Sequence, residues 1–439
     1  MTDPQPTDAR LARLAERLGP DVLARLDGMT AGDLARRLAP PAEPGPYTPP
    51  APDADFYGLF ERALTPEQQR VRSVVRGFML ERVRPVINPY WDRGDFPFEL
   101  VPDIAAMLRE AYGENPAARY CTDGFLTGLV SMEIPRVDPS VGTFVGVHWG
   151  LCLYSVWHFG SDAQKEKWVG PLERFEAIGS WALTEPEHGS DAAAGLATTA
   201  TRHGDTWTLR GAKKWAGNAS FADVTVVWAR DTADGQVKGF LVEKGAPGFT
   251  VETLTGKIAK RAVQNVLIAL DGVEVAEADR LPGVSSFRDV AGQLAVARAG
   301  VAWEACGMAM GLYEGTLDYC TRRRQFGRPV AGFQLVQDGL VRMLGNVVGI
   351  QAMMLGLGAV YDEPARLHER ASLAKLVCVD RMRETAQIGR GLLGGNGILI
   401  EHDVGRLFAD AEAVYSYEGS REMNALIVGR AITGLSAFV

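Results

Sequence analysis

Trp181-Ala182-Leu183-Thr184-Glu185-Pro186-Glu187-His188-Gly189-Ser190-Asp191 stands where the chain changes character. Upstream of it the patterning is helical. Thr65-Pro66-Glu67-Gln68 reads as a capping box with proline at the first helical position. Val71, Val74, Val75 and Phe78 follow at i, i+3, i+4, i+7 spacing, the stripe of a helix with one buried face. Helical stretches continue to about Gly179, broken by loops such as Asp92 to Pro97. Downstream, Thr206 to Leu209, Val224 to Trp228 and Gly239 to Val242 are short, β-branched or aromatic, and separated by Gly, Asp and Asn. That is strand patterning. From about Val290 long helical segments return, joined at Gly327-Arg328-Pro329 and Asp362-Glu363-Pro364, and four or five such helices make an antiparallel bundle.

The expectation is an α+β fold of three domains. Residues 61–179 form a helical N-terminal domain, 180–289 a central β-barrel and 290–439 a C-terminal four-helix bundle. Residues 1–60 make an N-terminal extension and linker. The segment from Ala9 to Leu38 is amphipathic and carries arginines interrupted by Asp21, Asp27 and Asp33, which reads as a short helical extension rather than an acid-poor transit peptide. Residues 39–54 are rich in proline, and the ordered body is expected to start near Thr65.

With 439 residues the chain is too long for one compact core. A net charge of -8 argues against nucleic acid as the main partner. No uninterrupted apolar stretch reaches the roughly 20 residues of a membrane helix, so no membrane span is expected. The five cysteines are scattered with no Cys-x-x-Cys pair, which reads as reduced thiols in a cytoplasmic protein. The six histidines show no metal-ligand spacing, and no metal is expected. The closing Ser436-Ala437-Phe438-Val439 is not a peroxisomal address.

Four further stretches carry chemistry, and each also has a plain reading. In the opening stretch, Gly189-Ser190-Asp191 alone would be a turn. Trp215, in Lys214-Trp215-Ala216-Gly217-Asn218, would alone be a core aromatic. Arg322-Arg323-Arg324-Gln325-Phe326-Gly327 would be a cationic helix end, and Gly394-Gly395-Asn396-Gly397 a helix cap. Glu418, in Tyr417-Glu418-Gly419-Ser420, would be a solvated charge between helices.

Together these stretches resemble the acyl-CoA dehydrogenase family from about Leu64 to Val439. The resemblance is strongest to the branch of glutaryl-CoA dehydrogenases and plant peroxisomal short-chain acyl-CoA oxidases. Gly429-Arg430-Ala431-Ile432-Thr433-Gly434 is similar to the former; Arg280-Leu281-Pro282-Gly283-Val284 and Met343-Leu344-Gly345-Asn346-Val347 lean to the latter. The resemblance implies FAD as cofactor and an acyl-CoA as substrate. It implies that Leu183, Thr184, Gly189 and Ser190 serve the flavin, with Ser190 also near substrate, and that Trp215 packs on its ring. Arg323, Gln325, Phe326, Gln334, Gly394, Gly395 and Gly397 would hold the FAD shared across a homodimer or homotetramer. Ser420 would also contact the cofactor, while Gly419 and Arg298 would contact substrate.

By the same resemblance Glu418 takes the α-proton while the flavin takes the β-hydride. Some members carry the base on an earlier helix just before an arginine. Here that place is Ala297, followed by Arg298, so the role falls to Glu418.

Two departures bear on the reaction. Gly217 stands where most family dehydrogenases have threonine, which implies open space beside the flavin where oxygen would react. Gly142 follows Arg136-Val137-Asp138 where glutaryl-CoA enzymes have an arginine, which disfavours a dicarboxylic substrate. Trp149 either shortens the acyl pocket or is a core aromatic. The leading expectation is a dehydrogenase for a short, uncharged acyl-CoA that passes electrons to electron-transfer flavoprotein. An oxidase making hydrogen peroxide is the close rival. A flavin-dependent monooxygenase on the same fold is disfavoured by Glu418, and a non-catalytic scaffold by the retained flavin segments.

Overall fold

In the computed structural model, residues 54–361 and 364–437 are described. The extension and linker readings for 1–53 lie outside them, as does the Asp362-Glu363 part of the predicted loop. The chain enters by a short helix α1, Leu59–Ala63, before the capped helix α2, Pro66–Phe78. The capping box of Thr65 and Gln68 is formed, with Pro66 at the first turn. The ordered body therefore starts earlier than Thr65. Ala54 and Phe60 are buried, and the Asp55 carboxylate accepts the backbone N–H groups of Leu59, Phe60 and Glu61. This segment is too short to show a period, and its place is set by contacts with the distant Trp303 and Gln351.

The helical region continues through α3 (Ile87–Arg93), α4 (Val101–Tyr112), α5 (Pro116–Thr122), α6 (Gly124–Glu133), α7 (Pro139–Val145), α8 (Tyr154–Phe159) and α9 (Asp162–Glu173). A π-helical stretch, Gly146–Leu153, joins α7 to α8. The middle region is one curled seven-stranded sheet: β1 (Gly179–Ala182), β2 (Thr199–His203), β3 (Thr206–Gly217), β4 (Val224–Asp231), β5 (Val237–Glu243), β6 (Phe249–Thr253) and β7 (Asn265–Ala276). A single turn, α10 (Ala192–Gly195), sits between β1 and β2. β4 lies centrally, parallel to β1 and then β2 on one edge and antiparallel to β5 on the other. Its alternation divides two cores: Val224, Val226 and Trp228 join the N-terminal helices, while Val227 and Ala229 pack inside the curl.

Among the described residues the C-terminal region holds five α-helices. These are α11 (Phe287–Arg322), α12 (Gln334–Gly358), α13 (Pro364–Leu392), α14 (Asp403–Ser416) and α15 (Arg421–Thr433), with a small β8–β9 hairpin (Arg324–Gln325 and Arg328–Pro329) after α11. Helix α12 is long and apolar enough to cross a membrane by length and composition. Asp338 and Arg342 interrupt it, and Met343, Val347, Ile350 and Met354 bury one stripe in the bundle core.

Helix α11 meets the N-terminal region through glycine. A Cβ on Gly307 would lie 1.8 Å from the Met132 carbonyl oxygen, and one on Gly311 2.1 Å from that of Arg136. Because the obstacle is backbone, Gly307→Ala is expected to cost about 1–3 kcal/mol, read as a lower denaturation midpoint.

Candidate active site

Glu418 lies between the C-terminus of α14 and the start of α15, in left-handed backbone with φ 52°. A non-glycine residue holds that conformation only where its surroundings impose it. Hydrogen bonds from two sides impose it here. Lys375, on α13 and wholly buried, donates to the carbonyls of Tyr417 (2.6 Å), Gly419 (2.5 Å) and Tyr415 (3.3 Å). From the other side the Asn424 amide donates to the carbonyls of Gly419 and Ser420. The Ser420 hydroxyl caps α15 by accepting Met423 N–H.

The neighbour Tyr417 is fixed through its hydroxyl, which donates to Glu304 at 2.6 Å and accepts from Lys260. Lys260 also pairs with Glu304 and donates to Thr143. This buried cluster ties α7, the loop before β7, α11 and the Glu418 turn together.

Glu418 is half-buried as a residue, yet burial is the largest influence on its carboxyl and raises its pKa. The Arg298 and Lys375 charges pull the other way, and the Glu304 carboxylate adds to the rise. The Arg298 guanidinium meets His368 at 3.4 Å, and its Nε has no hydrogen-bond partner among the described residues. A Cβ on Gly419 would lie 3.6 Å from that Nε, so Arg298 reaches the same turn. Ala297 precedes it on α11. The arrangement is that of a carboxylate able to hold a proton above the ordinary carboxylate range, with cations close enough to favour its release.

The second group gathers at the sheet. Leu183 and Thr184 follow β1, and the Thr184 carbonyl accepts Lys214 N–H. A buried ion pair holds this segment: Lys213 Nζ is 2.7 Å from Glu185 and donates to the Leu183 carbonyl at 3.0 Å. Burial pulls the Lys213 ammonium down to about 8. Gly189 and Ser190 are exposed in the turn that follows.

Trp215 is the extra residue of a bulge between Lys214 and Ala216, with φ 70°. The bulge turns its indole out of the sheet, where it is 52% exposed, so it is not a core aromatic. The space at Gly217 is smaller than the sequence suggests. A Cβ there would come within 3.0 Å of Val147, on the stretch following α7.

The third group projects from the C-terminal region. Arg323, Gln325 and Phe326 lie on the exposed hairpin after α11, with Phe326 92% exposed and φ 50°. Gln334 begins α12 and is exposed. Gly394 and Gly395 are exposed with no heavy atom within 4 Å of an added Cβ. Gly397 is buried, and a Cβ there would strike the Arg390 carbonyl at 2.2 Å, so its need for glycine is local packing.

Trp149 takes the core reading. It is wholly buried among Tyr112, Tyr120 and Phe175, with its indole N–H on the Leu172 carbonyl. Sequence reasoning missed Lys375, Lys260, Glu304 and the Glu185–Lys213 pair. Lys375 had left a trace: it falls on the apolar stripe of Ala371, Cys378 and Met382, where a cation is out of place.

The described chain matches three family models: acyl-CoA dehydrogenase N-terminal domain over residues 65–176, middle domain over 180–273 and C-terminal domain over 287–433. It is 30% identical over 381 residues to an acyl-CoA dehydrogenase of Bacillus subtilis (strain 168), covering 84% of this chain and 99% of the relative. A crystal structure of glutaryl-CoA dehydrogenase from Mycobacterium smegmatis superimposes with TM-score 0.82 at 36% identity, covering 88% of this chain and 99% of that one. A second structure of a glutaryl-CoA dehydrogenase from that organism, in complex with FADH2, gives TM-score 0.82 at 32% identity, covering 86% and 97%.

Proposed function

Because the chain belongs to the acyl-CoA dehydrogenase family, we propose that it converts a short, uncharged acyl-CoA to the trans-2-enoyl-CoA with Glu418 as base. It is an oxidoreductase of that family, and FAD is its cofactor. The residues present fit that group. Trp215 offers a half-exposed indole with the Lys214 ammonium 5.5 Å from its ring centre, and Gly394 and Gly395 leave backbone open to close approach. Leu183, Thr184, Gly189 and Ser190 would hold the flavin end from one chain. Arg323, Gln325, Phe326, Gln334, Gly394 and Gly395 would hold the diphosphate and adenosine from a partner copy, a guanidinium suiting a diphosphate by its paired donors. When bound, FAD accepts the hydride that leaves the β-carbon.

The observation that carries this reading is the Glu418 carboxyl, raised by burial and held by Lys375 in a turn that a free loop would not adopt. Glu418 takes the α-proton onto its carboxylate as the carbon–carbon double bond forms. Arg298 beside it opposes the effect of burial and favours the ionised carboxylate before the transfer. An acyl chain that excludes water would strengthen the base further. The uncharged substrate is supported by Gly142, which offers no side-chain charge where a distal carboxylate would need a cation. A homodimer or homotetramer is supported by the exposed hairpin at Arg322 to Arg328 and by Leu335, Val341 and Ile432, all more than 65% exposed.

Electron-transfer flavoprotein is the acceptor in this reading. Gly217 favours a second one, in which oxygen is the acceptor, while Val147 packed beside that glycine narrows the space available. One experiment separates them. Anaerobic mixing of the yellow protein with butyryl-CoA is expected to bleach the flavin. Slow return of colour in air supports a dehydrogenase that awaits a protein acceptor; rapid return with stoichiometric peroxide makes it an oxidase. No bleaching with butyryl-CoA or longer acyl-CoAs would overturn the proposal.

A further inference from the structure

Lys375 is a cation with no carboxylate within ion-pair distance among the described residues, yet it is wholly buried on the apolar face of α13. Such burial is costly unless every proton of the ammonium finds an acceptor. Three carbonyls supply them, those of Tyr415, Tyr417 and Gly419. The first lies in the last turn of α14, where carbonyls have no helical partner and a cation complements the helix dipole. The other two flank Glu418. Both converge on one nitrogen across Glu418, whose left-handed backbone at φ 52° bends the chain between them. The ammonium therefore holds the only non-glycine residue of that turn with positive φ, and it is the residue that carries the carboxylate.

We propose that Lys375 is a positioning residue for the proton-abstracting carboxylate: it fixes the turn that aims Glu418 and supplies part of the charge that keeps Glu418 ionised. This rests on the reading of Glu418 as base. Two effects follow from the one nitrogen. Losing its hydrogen bonds frees the turn to leave the left-handed conformation, which misplaces the carboxylate. Losing its charge removes an opposing influence on a carboxyl that burial already raises, so the proton is released only at higher pH. A purely structural lysine would give neither a shifted pH profile nor a loss confined to the reduction step.

The test is stopped-flow bleaching of FAD-loaded enzyme by saturating butyryl-CoA as a function of pH, in wild type, K375M, K375R and E418Q. K375M is expected to retain flavin and to reduce it about 10- to 100-fold more slowly. Its acid limb moves to higher pH, while K375R keeps the wild-type limb because it keeps the charge. Should K375M not fold, K375Q carries the same test, since it keeps a donor and loses the charge. Wild-type rate and an unmoved acid limb in the charge-removing variant would overturn the inference, as would a limb displaced equally in K375R. If instead E418Q bleaches at the wild-type rate, the assignment of the base itself fails.

Discussion

Glu418→Gln is expected to give a folded, yellow protein whose flavin is no longer reduced at a useful rate by acyl-CoA. Glutamine matches glutamate in shape and can keep the turn, since the contacts that fix it run through the carbonyls of Tyr415, Tyr417 and Gly419 and not through the side chain. What it lacks is a site for the α-proton. General base catalysis by a positioned side chain is worth about 10²- to 10⁴-fold, and a loss of that size is expected. Glu304, the carboxylate whose charge acts on Glu418, is held by Lys260 and Tyr417 and so is not available as a base. In the wild type the bleaching rate should fall as pH drops through the Glu418 pKa. Burial raises that pKa, so the limb lies above the ordinary carboxylate value. Near-wild-type bleaching in the variant, or a rate flat down to pH 4, would refute the assignment.

The largest effect on stability is expected at Arg406→Met. The Arg406 guanidinium and the Asp138 carboxylate are both wholly buried and paired. Arg406 also donates to Asn88 Oδ1 and the Val137 carbonyl, both at 3.0 Å, so one side chain on α14 fastens two segments of the N-terminal region. Methionine fills much of the volume but leaves Asp138 charged and without its partner in a dry site. Breaking one side of a buried pair costs about 3–5 kcal/mol, against a total stability of roughly 5–15 kcal/mol for a domain.

Burial already raises the Asp138 pKa and Arg406 opposes that rise, so removing Arg406 raises it further. The folded variant then takes up a proton at higher pH than the unfolded chain does, which stabilises it in acid and is lost as pH rises through the raised pKa. The deficit against wild type, read from urea midpoints, should therefore widen from acid to neutral pH. A deficit below about 1 kcal/mol at pH 7 would mean that the pair is not fastening the two regions.

These two residues differ in how visible they were beforehand. Glu418 was legible because Tyr417-Glu418-Gly419-Ser420 and the glycines before it form a local string, and local strings survive in a sequence without any knowledge of packing. Arg406 was silent: an arginine on a helix is by default solvated, and only its burial against Asp138, 268 positions away, makes it an anchor. Trp215 and Trp149 show the same division. Both could have been core aromatics; a β-bulge turned the first outward, and enclosure by Tyr112, Tyr120 and Phe175 kept the second in.

By itself the sequence determined the order helical, β, helical, because periods of 3.6 and 2 are written in neighbouring residues and the caps of α2 and α15 lie within a few positions of the helices they start. It also marked the carboxylate and the glycine- and arginine-bearing stretches. Tertiary structure alone decided that Ala54 and Phe60 belong to the C-terminal core, that Val147 crowds Gly217, and that Lys375 and Lys260 close on the Glu418 turn from two sides. The physical reason is the same in each case. Burial energy, ion pairing and the pKa of a carboxyl depend on which distant atoms arrive within a few ångströms, and no periodicity along the chain encodes that distance.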